Sequence, residues 1–182
     1  MMIIDEWHKF KGWTVLEFFL NGNRTYIKEL SRLLKVSPQT AQRYSRFYES
    51  EGVLDKESVG NASLYALADT PLTRELKRAY LLMKIFPKVS GIAEKNAGLT
   101  GLALYGSAAS GEYDKSSDID LLAISGSPKL DLGGIKDIER LLGREVHIEI
   151  MSIGKWRSLG EKKDAFYLSV SKNHLVLYGV LP

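Results

Sequence analysis

Two acidic residues separated by a single residue carry the strongest chemical signal in this sequence. Asp118 and Asp120 lie in the segment Ser117-Asp118-Ile119-Asp120-Leu121-Leu122, whose apolar residues predict a β-strand. Side chains on a strand alternate between its faces, so both carboxylates are expected on one face while Ile119 and Leu121 point into the core. Two carboxylates this close repel each other unless a cation lies between them, and Mg²⁺ prefers oxygen ligands of this kind. The pair therefore predicts a magnesium site.

A glycine and a serine precede the acidic pair at the end of another apolar segment. Leu99–Tyr105 predicts a strand, and Gly106 and Ser107 follow it where a helix is expected to begin. Backbone N–H groups and the helix dipole at such a position favour an incoming phosphate. Gly106 and Gly111 also have the glycine spacing of a Walker A phosphate loop. The residues after Gly111 are not the Lys and Ser or Thr that such a loop requires, so the Walker A interpretation is rejected.

This arrangement resembles the nucleotidyltransferase superfamily that includes DNA polymerase beta. The shared pattern is a strand, Gly106-Ser107, ten further residues and Asp118-Ile119-Asp120 on the next strand. The version with Ser-Asp-Ile-Asp-Leu-Leu is most similar to the minimal nucleotidyltransferases of archaea and bacteria, and the resemblance covers residues 99–180. It implies that Asp118 and Asp120 bind two Mg²⁺ ions and that Gly106 and Ser107 hold the triphosphate of an NTP, with ATP preferred.

The resemblance also requires a third carboxylate on a later strand. Apolar residues alternate with Glu145, His147 and Glu149 between Arg144 and Ile150, so these three side chains share one face. We expect Glu149 to be the third metal ligand, because a carboxylate suits Mg²⁺ better than an imidazole does. The family usually has Asp at this place, and the alternative is that His147 occupies the equivalent position. Members without the third acid can persist as nucleotide-binding or regulatory domains.

The N-terminal part of the sequence has a local excess of basic residues. Six basic residues and one acid lie between Arg24 and Arg46, although the net charge of the chain is only +3. Ser37-Pro38 predicts a helix start, because Ser caps free N–H groups and Pro is well tolerated at the first helical position. The helix that follows carries residue types suited to base edges and phosphates. These candidate DNA-binding residues are Gln39, Thr40, Gln42, Arg43 and Arg46.

The elements that position the basic residues follow the order of a winged helix-turn-helix, assigned to residues 1–70. The predicted helices are one that ends at Leu20, Thr25–Lys35 with Thr25 as its cap, and Pro38 to about Ser50. A β-hairpin of Val53–Val59 and Ser63–Leu67 is expected after them. Residues 71–98 form a helical connector, with a break expected before Pro87 because proline disfavours helix at the preceding residue.

Residues 99–182 alternate strands and helices and are assigned to a nucleotidyltransferase domain with a mixed β-sheet and flanking helices. The predicted elements are strands at Leu99–Tyr105, Ile119–Ser125 and Glu145–Met151, a helix ending at Gly143, a helix near Lys155–Ser171 and a last strand at Leu175–Tyr178. With the N-terminal half, this gives an α+β fold class.

Composition limits the functions that the chain can have. Of its 182 residues 45% are hydrophobic and 26% charged, the balance of a soluble globular protein. The chain has no cysteine, which excludes disulfides and thiolate metal sites. No segment approaches the roughly 18 apolar residues of a membrane span, so we expect a cytoplasmic protein without a membrane partner.

Together these observations predict a Mg²⁺-dependent nucleotidyltransferase with a DNA-binding winged helix. It would transfer AMP by preference to a hydroxyl group on a protein, RNA or small molecule. Because minimal nucleotidyltransferases often act as antitoxins, the resemblance implies a toxin as a protein acceptor, and winged-helix proteins commonly form homodimers. The alternatives are a nucleotide-sensing transcriptional regulator whose C-terminal domain is catalytically inactive, and a pure dimerisation module.

Overall fold

A computed structural model describes residues 7–181 of the chain. Over these residues the chain forms eight helices and seven strands. It divides into two compact units, one ending at Tyr80 and the other beginning at Leu81. Among the described residues, no helix combines the length and apolarity needed to cross a membrane.

The first unit contains three short helices and a three-stranded antiparallel sheet. Its elements are α1 (Lys11–Leu20), β1 (Thr25–Tyr26), α2 (Ile27–Leu34), α3 (Pro38–Ser50), β2 (Leu54–Val59) and β3 (Ala62–Leu67). The strand order is β1-β3-β2, so the hairpin of β2 and β3 is extended by the short β1. The buried core draws on the three helices and the hairpin, through Val15, Phe19, Leu30, Ala41, Leu54 and Tyr65.

Helix α3 begins and ends where its sequence predicts. The Ser37 hydroxyl accepts a hydrogen bond from the Thr40 backbone N–H at 3.0 Å, and Pro38 is the first helical residue. The helix ends at Ser50, and Gly52 follows with a φ of +68°, a backbone conformation that glycine adopts easily. The local sequence therefore sets both ends of this helix.

The prediction that Thr25 caps the second helix is wrong. Thr25 lies in β1, where it pairs with Tyr65 of β3, and Tyr26 is the residue before the helix. Thr25 is buried, and its hydroxyl donates a hydrogen bond to Glu29 Oε2 at 2.8 Å. Pairing with a strand 40 residues away in the chain overrides the local capping preference.

The predicted break before Pro87 is also wrong. Helix α4 (Pro71–Lys95) is continuous and contains Pro87 in its interior. Proline removes one backbone hydrogen bond from a helix, so the helix must be stabilised in another way. Ile85, Val89 and Ile92 lie on one face of α4 and are buried in the core of the second unit, which holds the helix together across the proline.

The second unit is a four-stranded mixed sheet with helices. Besides the end of α4 it contains β4 (Leu99–Tyr105), α5 (Gly106–Ser110), β5 (Ile119–Ser125), α6 (Gly133–Leu142), β6 (Val146–Met151), α7 (Ile153–Glu161), α8 (Ala165–Lys172) and β7 (His174–Gly179). The strand order is β6-β5-β4-β7, with β5 and β6 parallel and the other pairs antiparallel.

The single helix predicted near Lys155–Ser171 is in fact two helices. The chain turns between α7 and α8, where Lys163 has a φ of +51°. The Asp164 carboxylate accepts a hydrogen bond from the Phe166 backbone N–H at 2.9 Å and so caps α8. An Asp at this position starts a new helix instead of continuing the old one.

Strand β5 is covered on both faces, which fixes the direction of its side chains. Ile119, Leu121 and Ala123 are buried in one core cluster together with residues of α4 and α6. Leu122 and Ile124 are buried in another, which includes Trp156 of α7 and Val170 of α8. Because side chains alternate along a strand, Asp120 belongs to the face of Leu122 and Ile124.

Candidate active site

Asp120 lies in the middle of the sheet and has a neighbour on each side. Its backbone pairs with Tyr105 of β4 and with His147 of β6. The predicted alternation is confirmed, since Ile119 and Leu121 are buried while Asp120 is half-buried and Asp118, just before the strand, is exposed. The two acids thus lie at the start of β5, clear of the buried core.

His147 and Glu145 lie beside Asp118. The Nε2 atom of His147 is 3.2 Å from Asp118 Oδ2 and 3.8 Å from Glu145 Oε1. One ligand atom from each of the three residues lies within 4.8 Å of the others, and all three side chains are exposed. Two carboxylates and one imidazole are therefore close enough together to bind a single cation.

Glu149, the residue chosen from the sequence as the third acid, lies farther along β6. It pairs with Leu122, whereas His147 pairs with Asp120. Two residues along a strand correspond to roughly 6–7 Å. Glu149 shares the face of His147, and its charge contributes to a raised pKa of Tyr105, but it is outside the group formed by Asp118, Glu145 and His147.

The electrostatics of the site disfavour a second negative charge. Partial burial raises the pKa of Asp120, and the nearby charge of Asp118 raises it further, while His147 acts in the opposite direction. Burial is also the largest cause of the raised pKa of Tyr105, followed by the charges of Asp120 and Glu149. A divalent cation would relieve this repulsion. Asp118, Glu145 and His147 lie close enough together to share one, and Asp120, the strand partner of His147, lies beside this group and not within it.

Gly106 brings the turn after β4 against Asp120. The residue has a φ of +68°, and a Cβ atom at this position would lie 2.6 Å from Asp120 Oδ2. Ser107 is the second residue of the short helix α5, and its carbonyl accepts hydrogen bonds from the backbone N–H groups of Glu112 and Tyr113 at 3.0 and 3.2 Å. The turn that carries Gly106 and Ser107 is therefore compact and directly adjacent to the acidic strand.

The segment before Asp118 is ordered by one carboxylate. Asp114 Oδ1 accepts hydrogen bonds from the backbone N–H and the hydroxyl of Ser116, both at 2.8 Å, and from those of Ser117, both at 3.0 Å. These bonds, those of Ser116 first, lower the pKa of Asp114 to about 2. Asp114 therefore remains ionised and keeps this turn closed at neutral pH.

Arg144, two residues before the start of β6, anchors the same segment. Its Nη1 group donates hydrogen bonds to the carbonyl of Asp114 and to the carbonyl of Ser117, the latter at 3.2 Å. The guanidinium also lies 5.0 Å from the ring centroid of Tyr113, which is buried. Sequence reasoning missed Arg144, since its partners are 27 and 30 residues away and no local pattern marks the contact.

His174 completes a row of side chains across the sheet. It pairs with Tyr105, so that His147, Asp120, Tyr105 and His174 are neighbours on β6, β5, β4 and β7. The Nδ1 atom of His174 lies 2.9 Å from the Val170 carbonyl oxygen. Sequence reasoning alone does not find this position, because the pairing of β7 with β4 cannot be recognised from local pattern.

The candidate DNA-binding residues lie on α3 in the first unit. Gln39, Gln42, Arg43 and Arg46 are exposed, and their spacing of three and four residues places them on one face of the helix. The Arg43 guanidinium lies 4.7 Å from the ring centroid of Tyr44. Thr40 is less accessible, with its hydroxyl oxygen 2.8 Å from that of Ser37.

Comparison with known proteins finds a family model that matches the segment containing the acidic site. Residues 87–169 match the family model described as nucleotidyltransferase domain. This segment contains the acidic strand, the Gly106-Ser107 turn and the three residues that alternate along β6. No curated protein sequence matches the chain.

Two solved structures are similar to part of the chain. The first is a crystal structure of a toxin-antitoxin with AMP-PNP, with 16% identity, a TM-score of 0.36, and coverage of 52% of this chain and 73% of the other. The second is a protein from Sulfolobus solfataricus assigned as a nucleotidyltransferase, with 19% identity, a TM-score of 0.36, and coverage of 59% and 87%. Over residues 87–169 the chain is thus similar to the nucleotidyltransferase domain family.

Proposed function

We propose that this protein is a metal-dependent nucleotidyltransferase that transfers a nucleoside monophosphate, AMP by preference, from an NTP to an acceptor hydroxyl, with release of pyrophosphate. One observation carries the proposal, namely the contact between the Gly106 turn and Asp120 at the start of β5. It brings a backbone suited to phosphate next to carboxylates suited to metal ions. The match of this segment to the nucleotidyltransferase domain supports the same chemistry.

Asp118 and Asp120 would hold the metal ions, for which we propose two Mg²⁺ sites. When bound, the ions would neutralise the triphosphate and promote deprotonation of the acceptor hydroxyl. The two carboxylates come from nearby positions at the start of a strand whose remaining side chains are buried, so their positions are fixed by the core. A fixed ligand pair keeps the reacting groups aligned without further rearrangement.

Gly106 and Ser107 would bind the triphosphate. The absence of a side chain at Gly106 lets the backbone approach Asp120 closely, and hence would bring a phosphate held by this turn next to a proposed metal ligand. The Ser107 hydroxyl would donate to a phosphate oxygen, while its carbonyl is engaged in closing the turn. In this scheme the turn recognises the triphosphate, and the residues at the start of β5 bind the metal ions.

Transfer of radiolabel from α-labelled ATP tests the proposal. In the presence of Mg²⁺ or Mn²⁺, the wild-type protein should label itself or a component of a cell extract. Asp118→Asn and Asp120→Asn should each lower labelling at least about 100-fold, because even outer-sphere partners of metal ligands account for 10–100-fold. Asp137→Asn is the matched control, since Asp137 lies on α6 and forms a surface ion pair with Arg140. Full labelling by both site variants would disprove the assignment.

The second candidate is a nucleotide-sensing regulator without turnover. It is favoured by one observation, the presence of His147 beside Asp120 where a third acid is expected. Calorimetry combined with the labelling assay separates the two functions, because a regulator would bind ATP with measurable affinity and yet leave every component of the extract unlabelled.

We also propose that the first unit is a winged helix that binds double-stranded DNA, with α3 in the major groove and the β2–β3 hairpin as the wing. The exposed row of Gln39, Gln42, Arg43 and Arg46 supports this role. Thr40 is a weaker candidate, because its hydroxyl is already engaged with Ser37. The excess of basic residues between Arg24 and Arg46 provides the charge for phosphate contacts.

Footprinting on duplex DNA, including the promoter of its own gene, tests this role. Arg43→Ala combined with Arg46→Ala should reduce the slope of log affinity against log salt by about 2, if each residue contacts one phosphate. Arg140→Ala, which removes an exposed arginine of the second unit, is the control and should leave the slope unchanged. A footprint and slope that survive the double substitution would show that α3 is not the reading helix.

For the acceptor we propose a hydroxyl group on a partner protein, such as a companion toxin. The expectation comes from the resemblance to minimal nucleotidyltransferases. A co-purifying protein that gains the mass of one AMP on incubation with ATP would support it, and modification of RNA alone would contradict it.

A further inference from the structure

We infer that His147 is a metal ligand and that the site consequently prefers Mn²⁺ over Mg²⁺. The inference rests on the proposed function for the presence of a metal ion at Asp118 and Asp120. It goes beyond that function by naming the third ligand and the ion selected.

Strand pairing places His147 where a third ligand must be. In the parallel pair of β5 and β6, His147 is the direct partner of Asp120, and its Nε2 atom lies 3.2 Å from Asp118 Oδ2. Paired residues on neighbouring strands have their side chains on the same face. His147 is therefore adjacent to both acids, a position that Glu149, two residues farther along β6, does not share.

Two further features support ligation by the imidazole. His147 and Asp118 are both about half exposed, with 54% and 48% of their side-chain surfaces accessible, so an ion can reach them from solvent. Glu145 offers a second carboxylate near the imidazole, at 3.8 Å from Nε2. The three groups lie on or directly before β5 and β6, whose relative position is fixed by their hydrogen-bonded register.

The chemistry of the donors decides which ion is favoured. Mg²⁺ binds oxygen ligands almost exclusively, whereas imidazole suits first-row transition metals. An imidazole at this position of β6 supplies a nitrogen donor, which the hard Mg²⁺ ion binds weakly. Mn²⁺ accepts the carboxylates of Asp118 and Asp120 and triphosphate oxygens as well as a nitrogen ligand, so the mixed set favours Mn²⁺ over Mg²⁺.

Pulsed electron paramagnetic resonance of Mn²⁺ bound to the full-length protein, without nucleotide, reports nitrogen ligation directly. We expect ¹⁴N modulation from one imidazole in the wild type and its loss in His147→Gln. Mn²⁺ affinity should fall at least about tenfold in that variant, given that outer-sphere changes alone cost 10–100-fold. His147→Asp should still bind Mn²⁺, without ¹⁴N modulation, and should bind Mg²⁺ more tightly relative to Mn²⁺ than the wild type does.

His174→Gln is the matched control. His174 lies in the same row across the sheet but two strands from Asp120, a separation of roughly 10 Å. Its Nδ1 atom is already close to the Val170 carbonyl oxygen. The ¹⁴N modulation and the Mn²⁺ affinity should therefore be unchanged in this variant.

The inference is overturned if wild-type protein fails to bind Mn²⁺, if bound Mn²⁺ shows no ¹⁴N modulation, or if the modulation persists in His147→Gln. Circular dichroism checks that each variant is folded, and His147→Asp supplies a second variant if His147→Gln does not fold. The same experiments distinguish failure of this inference from failure of the proposed function. Nitrogen ligation without any transfer of label would contradict the proposed transferase activity and would still support His147 as a metal ligand.

Discussion

Gly106 is the residue at which the backbone of the phosphate turn comes closest to the acidic strand. Its positive φ and the 2.6 Å that would separate a Cβ atom from Asp120 Oδ2 are two independent reasons for glycine. The first is a cost of backbone conformation, and the second is a direct collision with a proposed metal ligand. A suitable control must therefore carry the same backbone cost without the collision.

Gly106→Ala should therefore impair the site more than the fold. Gly143→Ala is the control, because Gly143 has a similar φ of +62° and a Cβ atom there would meet no other group within 4 Å. Both changes should lower the free energy of unfolding by about 1 kcal/mol from backbone strain. Only Gly106→Ala should also displace Asp120 and weaken Mn²⁺ binding. Chemical denaturation and metal titration measure the two effects, and equal metal affinity in both variants would contradict the argument.

At the scale of elements, the segment between α5 and β5 determines where Asp118 lies. The Asp114 carboxylate accepts hydrogen bonds that close the turn, and Arg144, just before β6, donates to the carbonyls of Asp114 and Ser117. Arg144 also packs on the Tyr113 ring, so it holds the segment through an aromatic contact as well as through hydrogen bonds. Arg144 does not belong to the group of metal-binding side chains and acts as a positioning residue.

Arg144→Ala should reduce the rate of label transfer while leaving the protein folded. Loss of the two carbonyl contacts would loosen Asp118, so Mn²⁺ affinity should fall by about tenfold, the lower end of the range for outer-sphere partners of metal ligands. Arg144→Lys should recover little of this Mn²⁺ affinity. A lysine lacks the planar guanidinium, which can donate several hydrogen bonds and stack on the Tyr113 ring at the same time. Arg140→Ala, at an exposed ion pair on α6, is the control. Unchanged metal affinity in Arg144→Ala would show that the segment holds Asp118 without this arginine.

At the scale of the whole molecule, two units with separate cores carry separate sets of candidate residues. The first unit has its own core around Phe19 and Leu30, and the second has one around Leu102 and Ile119. The candidate DNA-binding residues all belong to the first unit and the acidic site to the second. A substitution in one set should therefore leave the local structure of the other intact.

The two proposed activities should respond independently to substitution. Asp118→Asn together with Asp120→Asn should abolish label transfer and leave DNA affinity unchanged at fixed salt. Arg43→Ala together with Arg46→Ala should do the reverse. Loss of transfer in the arginine variant, measured in the absence of DNA, would show that the two units are coupled in catalysis.

The sequence alone determined those features that depend on neighbouring residues. The alternation from Ile119 to Leu121 predicted which side chains at the start of β5 are buried, because a strand has a fixed period of two. Ser37-Pro38 predicted the start of α3, because capping involves residues three positions apart. The limits of β4 and β5 also follow directly from their apolar residues.

The tertiary structure decided everything that depends on how distant segments pair. The alternation of Glu145, His147 and Glu149 showed that they share a face, but only the register of β6 against β5 places His147 beside Asp120. A shift of that register by two residues would bring Glu149 there instead and leave the local sequence pattern equally satisfied. The continuous helix through Pro87 has the same origin, because burial in the core, a long-range contribution, outweighs a local preference.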